Sequence, residues 1–399
     1  MTTLGEKIRT LRKEKKLTQS TLAGEELTKS MLSQIENGKA TPSMKTLQYI
    51  ADKLGCEPSF LLEEEDSELA SLVHEMKQLI QKREYKKVYE TLHSTVQHEL
   101  PATLHTARIY HLYIQASLFQ KEYDVRIYVE KAVSIFKKYS LHQEGTETEM
   151  SLVLALFYKK QYKESLQLIH SIRDQYKQQF ELDTILQIQL LLYEAVVFLA
   201  TGDYEKCQTI ILQSLAFSKE KQVYYRTDEL YRILSHQAVF FNDKEGYLYY
   251  LKKAEQFAVF IEDTLSIAVL DILRAYFHNS MTKQYTKALQ YVEAYQQYDI
   301  EGGEGYYYLE KGKALYGLQR YEEALEALHN VTMPTYAGHP VDKAWILTAG
   351  AYRALCYMAL SNKEQALHEA QAAQEAIQEY HVPMFVSFVE ETLQNIKNM

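Results

Sequence analysis

LTQSTLAGEELTKSMLSQIENGKATPS, residues 17–43, decides how the first part of the chain folds. Thr18 and Thr28 stand where helices begin, each offering a hydroxyl to the N–H groups that a first turn leaves without partners. Leu22 and Ala23 follow the first cap, Leu32 and Ile35 the second, and Asn37-Gly38 supplies a left-handed stop. Two short helices joined by a tight turn are predicted. With Leu32 and Ile35 turned inward, Lys29, Ser30, Ser33, Gln34 and Asn37 share the opposite stripe. Short polar side chains with one lysine suit a helix that lies in a major groove and meets base edges. A merely solvated face is the competing reading of the stripe. It loses ground because helix order, turn and spacing agree independently across the segment.

Upstream, Leu4, Ile8 and Leu11 form a helical stripe. Downstream, Thr41-Pro42 is expected to open a fourth helix, with proline at its first position and Leu47, Ile50, Ala51 and Leu54 facing inward. A fifth turn, Ser59 to Leu62, follows Pro58. Residues 1–62 hold 10 Lys/Arg against 7 Asp/Glu, net +3, whereas 63–399 hold 34 against 46, net −12. A basic head on an acidic body confines an anionic polymer to one end.

These sixty residues resemble the Xre/phage-repressor helix-turn-helix family. The match is carried by Gly5-Glu6-Lys7-Ile8-Arg9, Leu11-Arg12, Leu17-Thr18-Gln19, Leu22-Ala23, Ser33-Gln34-Ile35-Glu36-Asn37-Gly38, Pro42-Ser43, Leu47 and Ile50-Ala51-Leu54-Gly55. The resemblance implies base contact by Lys29, Ser30 and Gln34 and phosphate contact by Gln19, Asn37 and Lys39. It also implies a partly buried ion pair between Arg12 and Glu36. The segment GEELTKSM departs from the family by lacking the usual turn glycine and running one residue short.

From about Glu63 the pattern becomes long amphipathic helices in pairs. A tyrosine after a polar turn marks the second helix of each pair: Tyr85, Tyr123, Tyr162, Tyr204, Tyr247, Tyr285 and Tyr321, spaced by 38, 39, 42, 43, 38 and 36 residues, with Lys363 continuing the series. Such a period means stacked helical hairpins. The repeat resembles the tetratricopeptide type, most clearly in Tyr308-Leu309-Glu310-Lys311-Gly312-Lys313-Ala314-Leu315 and Tyr321-Glu322-Glu323-Ala324-Leu325. Small residues at the helix crossing are Gly312, Ala238, Ala275 and Ala354. The fold class predicted is all-α, a helix-turn-helix domain followed by a right-handed tetratricopeptide-like solenoid. The expected divisions are 1–62 for the head, 63–83 for a linker helix or first repeat helix, 84–380 for the repeats and 381–399 for a helix that caps the stack or forms a dimer contact.

In such a stack the first helix of every hairpin lines the concave side. Carried through, the repeat phase places there Arg108, His111 and Gln115, then Arg232, Ser235 and Asn242, then Tyr276 and Asn279, then Lys313 and Tyr316. Asn242 and Asn279 sit in matched contexts, AVFFN and AYFHN. An asparagine offers the donor and acceptor needed to grip a peptide backbone, but also tolerates the left-handed turn that ends a helix. Both readings stand at this point. Arg108, Arg232 and Lys313 suit a peptide carboxylate or acidic side chain, although for any one of them a solvated surface ion is the favoured reading.

The two parts together resemble the Gram-positive peptide-pheromone receptors of the Rap/Rgg/NprR/PlcR/PrgX family, nearest the PlcR and NprR members. That resemblance implies a quorum-sensing transcription regulator that binds palindromic double-stranded DNA as a homodimer or tetramer. It implies that a short signalling peptide in the groove switches it, the backbone gripped by groove asparagines. Two rivals remain: a peptide-regulated protein that sequesters a phosphorelay partner, with DNA binding as a second job, and a phosphatase like some Rap members, which carry a helical bundle in place of a DNA-reading head.

The chain has no Gly-rich phosphate loop, H-E-x-x-H or G-x-S-x-G, and its thirteen histidines have no metal-ligand spacing. No catalytic residue, metal or cofactor is predicted. Cys56, Cys207 and Cys356 are far apart, which fits buried thiols in a reducing cytoplasm. The charged N-terminus MTTLGEKIRTLRKEKK has no apolar core for a signal peptide, and no apolar run reaches the roughly 18 residues of a membrane span, so no membrane partner is expected.

Overall fold

The computed structural model describes residues 3–56, 58–62, 67–179, 182–298, 300, 302–334 and 337–398, and every regular element among them is helical. The head contains α1 (Leu4–Glu14), α2 (Gln19–Ala23), α3 (Lys29–Glu36), α4 (Met44–Leu54) and α5 (Pro58–Leu62). Thr3, Thr18, Thr28 and Ser43 cap the first four, each hydroxyl accepting a backbone N–H from the first turn. Ser43 corrects one expectation. Because its side chain takes the Thr46 N–H, α4 starts at Met44 and Pro42 lies before the cap instead of at the first helical position. Gly24 ends α2 at φ +55° and ψ −137°, a conformation open to glycine. Ile8, Leu22, Ala23, Leu32, Ile35, Leu47, Ile50, Ala51, Leu54 and Leu61 form the head's core.

The chain forms two compact units, Met1–Leu182 and Asp183–Met399. Behind the head, the first unit holds three hairpins: α6 (Ser67–Gln81) with α7 (Tyr85–Val96), α8 (Leu104–Phe119) with α9 (Arg126–Lys138), and α10 (His142–Tyr158) with α11 (Tyr162–Gln179). Residues 63–66 of the expected linker lie outside the described residues. The second unit pairs α12 (Thr184–Ala200) with α13 (Tyr204–Lys221), α14 (Thr227–Phe240) with α15 (Lys244–Phe260), α16 (Thr264–Phe277) with α17 (Tyr285–Gln296), and α18 (Glu304–Gly317) with α19 (Tyr321–His329). A short helix, α20 (Pro340–Leu347), precedes the pair α21 (Ala349–Ala359) and α22 (Lys363–Ile377). The last helix, α23 (Pro383–Asn398), buries Phe385, Val389, Leu393 and Ile396 within this unit and packs on α22 and α21.

The landmark tyrosines open α7, α11, α13, α17 and α19, and Lys363 opens α22. Two differ: Tyr247 is the fourth residue of α15, and Tyr123 precedes α9, which starts at Arg126. Their rings explain the recurrence. Tyr85 stacks on Phe119 at 4.4 Å, Tyr123 on Tyr158 at 5.2 Å, Tyr204 on Phe240 at 4.5 Å and Tyr247 on Phe277 at 4.8 Å. Each pair joins one hairpin to the end of the next hairpin's first helix, holding neighbours together through offset aromatic contact. Gly312 is needed where predicted, since a Cβ there would run into Leu328 of α19.

Hairpin turns use another repeated device. Arg83, Lys160, Gly202, Asn242, Lys283, Gln319 and Ser361 all have positive φ, each two residues before a second helix begins. Left-handed residues at these positions stop one helix and turn the chain into the next.

Candidate nucleic-acid interface and repeat-face site

On α3, Leu32, Ile35 and Glu36 are buried, while Lys29, Ser30 and Gln34 are exposed and Ser33 is half-buried. Asn37 ends the helix, its Nδ2 donating to the Ser33 carbonyl at 2.7 Å. Lys39 is exposed just beyond Gly38. Met31, 43% exposed, joins this outward row. The sequence reading missed it, although an apolar residue outside the Leu32/Ile35 stripe was the available signal.

The helix is held from behind. Arg12 of α1 donates through Nε to Glu36 Oε1 at 2.5 Å and through an Nη to Oε2 at 3.0 Å, and its other Nη donates to the Leu17 carbonyl at 2.9 Å. Gln19, opening α2, donates its Nε2 to Glu36 Oε2 at 2.8 Å. Burial pulls the Glu36 carboxyl up, but the hydrogen bonds from Arg12 and Gln19 together with the Arg12 charge leave it below its ordinary value. One buried carboxylate therefore ties α1, α2 and α3 into one orientation. Gln19 spends one amide N–H on this tie, and an amide has two.

In the first unit, Arg108, His111 and Gln115 form a half-buried row along α8. Gln115 Nε2 lies 2.9 Å from His111 Nε2, and His111 Nδ1 lies 2.9 Å from Thr148 Oγ1. Because the Gln115 amide nitrogen only donates, His111 Nε2 accepts and Nδ1 carries the proton. Burial pushes this imidazole down to about 4, with Lys77 adding to the effect, so His111 presents a neutral ring.

In the second unit the predicted residues part company. Ser235 is fully buried and donates to the Tyr247 carbonyl at 3.2 Å. Asn242 is exposed at φ +50°, the left-handed turn between α14 and α15, so its conformation is that of the helix-ending reading. Asn279 is buried in a π-helical turn, His278–Thr282, that extends α16. Arg232 and Tyr316 are half-buried.

Asn279, Tyr276 and Lys313 converge on Glu310 of α18, whose side chain is wholly enclosed. Glu310 Oε1 accepts from Lys313 Nζ at 2.6 Å and from Trp345 Nε1 at 3.0 Å, and Oε2 accepts from Asn279 Nδ2 at 2.8 Å. Lys313 Nζ also donates to Ser280 Oγ at 3.2 Å and stands 4.5 Å over the Tyr276 ring. Burial lowers the Lys313 ammonium, and Glu310 opposes that pull. The sequence reading found Lys313, Tyr276 and Asn279 but not Glu310 or Trp345, which join the cluster from 31 and 66 residues beyond Asn279.

The helix-turn-helix family model HTH_3 matches residues 8–61, and the head is a helix-turn-helix domain. Over 64 residues the chain is 42% identical to the immunity repressor protein of Bacillus phage phi105, covering 16% of this chain and 44% of that repressor, so it spans less than half of this curated relative. Among solved structures it is similar to PlcR of Bacillus thuringiensis in complex with the peptide PapR7 and DNA, at 19% identity over 68% of this chain and 99% of that one, with a TM-score of 0.49. It is also similar to the apo form of RapI, at 11% identity over 75% of this chain and 99% of that one, with a TM-score of 0.50. At 11% identity the likeness to RapI speaks to fold alone. The architecture is all-α, a helix-turn-helix head followed by helical-hairpin repeats. No described helix is long and apolar enough to cross a membrane.

Proposed function

We propose that this chain is a peptide-responsive transcription regulator. Its α3 enters the major groove, where Lys29, Ser30, Ser33 and Gln34 meet base edges, and Gln19, Asn37 and Lys39 meet phosphates. Two copies read a palindromic site, because paired heads engage duplex DNA only when spaced by about one turn or a multiple of it. A short peptide binds the faces formed by the first helices of the repeat hairpins and shifts the population of head arrangements by its differential affinity. Arg108, His111 and Gln115 on α8, and Arg232, Tyr276, Asn279, Lys313 and Tyr316 in the second unit, are the residues through which that binding is felt. Asn242, at the turn, is assigned to chain reversal.

The observation that carries this reading is the outward polar row of α3, locked by the Arg12–Glu36 fork inside a matched helix-turn-helix domain. Selection of bound sequences from a randomised duplex library with the full chain tests it. A two-fold symmetric sequence is expected to emerge; failure to enrich any sequence over the starting pool would contradict it.

A further inference from the structure

In stacked hairpins each repeat touches its neighbours, so one segment rarely meets four of them. Residues His339–Leu347 do. The His339 ring, through Nε2, donates to the Val196 carbonyl of α12 at 3.2 Å, its Nδ1 being occupied in accepting the Val341 N–H. Trp345 lies 5.7 Å from the His236 ring of α14, 5.0 Å from Tyr276 of α16 and 5.0 Å from Tyr306 of α18, and its indole N–H reaches Glu310. Asp342, whose carboxyl burial pushes up to about 6, feels the opposing pull of Arg232 on α14. Helices α12, α14, α16 and α18 are the first helices of four successive hairpins. The segment therefore lies across the very face on which a ligand is expected. Of the residues read from the repeat phase as ligand-facing, Tyr276 meets the Trp345 ring, Arg232 acts on Asp342, and Asn279 and Lys313 are joined to the segment through Glu310.

Two features separate this segment from ordinary core. The helix α20 has 8 residues, too few to persist without its contacts, and it breaks from α21 at Thr348. Two buried polar atoms next to its contacts also lack hydrogen-bond partners: His236 Nε2, whose ring meets Trp345, and Asn279 Oδ1, which shares Glu310 with Trp345. Asn279 is 3% exposed, so its carbonyl oxygen pays a desolvation cost that the resident segment leaves unanswered. A peptide backbone N–H is a donor that answers it.

We propose that His339–Leu347 is a resident, exchangeable ligand of the second unit, occupying the peptide face through Trp345 until a peptide of similar chemistry takes its place. That chemistry is a short chain with an aromatic hydrogen-bond donor for Glu310 and a free backbone N–H for Asn279. The inference rests on the first-helix face being the peptide site.

Hydrogen exchange on the full chain and peptide binding in trans test it together. Amides of Ala344–Leu347 are expected to exchange at least tenfold faster than those of Leu309–Leu315 in α18; equal protection would overturn the proposal. A labelled synthetic peptide of sequence HPVDKAWIL, matching residues 339–347, is expected to bind the Trp345→Ala chain saturably and wild type at least tenfold more weakly. No saturable binding to a helical Trp345→Ala chain would also overturn it. If that variant fails to fold, the exchange contrast on wild type decides alone. Neither arm contains DNA or the natural signal, so failure here leaves the DNA selection standing, and the converse holds.

Discussion

Asn279 grips Glu310 twice, donating through one amide nitrogen to its backbone carbonyl at 2.9 Å and to its side-chain Oε2 at 2.8 Å. The π-helical turn that carries Asn279 makes this reach possible, since it continues α16, whereas α14 stops at Phe240 and leaves Asn242 in the turn. Two asparagines in matched local sequence thus do different work. One reverses the chain, and the other binds the next hairpin.

That difference is measurable. Asn242→Gly is expected to leave stability within about 0.5 kcal/mol of wild type, because glycine accepts positive φ freely. Asn279→Ala is expected to cost about 1–3 kcal/mol by stripping a buried carboxylate of a donor. Urea unfolding of the two variants checks this; equal losses would contradict the assignment.

Glu310→Gln removes the counter-charge of an ammonium that is 4% exposed. Breaking a buried pair by deleting one partner costs about 3–5 kcal/mol. Denaturant unfolding monitored at Trp345, the single tryptophan, reports the second unit directly. A loss below about 1 kcal/mol would show that Lys313 finds water there.

Tyr204 stacks on Phe240 with its hydroxyl buried and without a hydrogen-bond partner. Tyr204→Phe keeps the stack and deletes the unsatisfied group, so stability is expected to rise by about 1 kcal/mol. A higher urea midpoint at unchanged m-value is the readout. A fall would mean the hydroxyl is satisfied in solution.

The head carries a pH signature. Glu36 titrates below its ordinary value, so its contribution is fully present above the unfolded value near 4.5 and is lost as pH falls through the lower folded value. Protection of α1 and α3 amides is expected to weaken below pH 4.5 in wild type. In Glu36→Gln that acid-dependent loss should be smaller, from a lower starting protection; parallel pH profiles would remove Glu36 as the cause.

Local signals made the head readable. Thr18 and Thr28 as caps, Leu32 and Ile35 as inward residues, and the Arg12–Glu36 pair depend on neighbours within a few turns or on a dense pattern. The repeat period was readable because Tyr85, Tyr204 and their counterparts recur for one packing reason, although their aromatic partners, such as Phe119 and Phe240, went unnoticed for want of a fixed offset. The cluster around Glu310 was not readable. Its members come from α16, α18 and α20, and whether an asparagine caps a turn or enters that cluster depends on a carboxylate 31 residues away. Helix α20 lacks the repeat's own pattern, and its placement follows from tertiary contacts alone.

The claim on which the account turns is that the outward row of α3 reads bases. Binding of wild type and Gln34→Ala to a selected duplex, and to duplexes altered at single positions, measures this directly. The account predicts a loss of about 1–3 kcal/mol in specific binding, with discrimination relaxed at one position in each half-site. Unchanged affinity and unchanged preference at every position would contradict it.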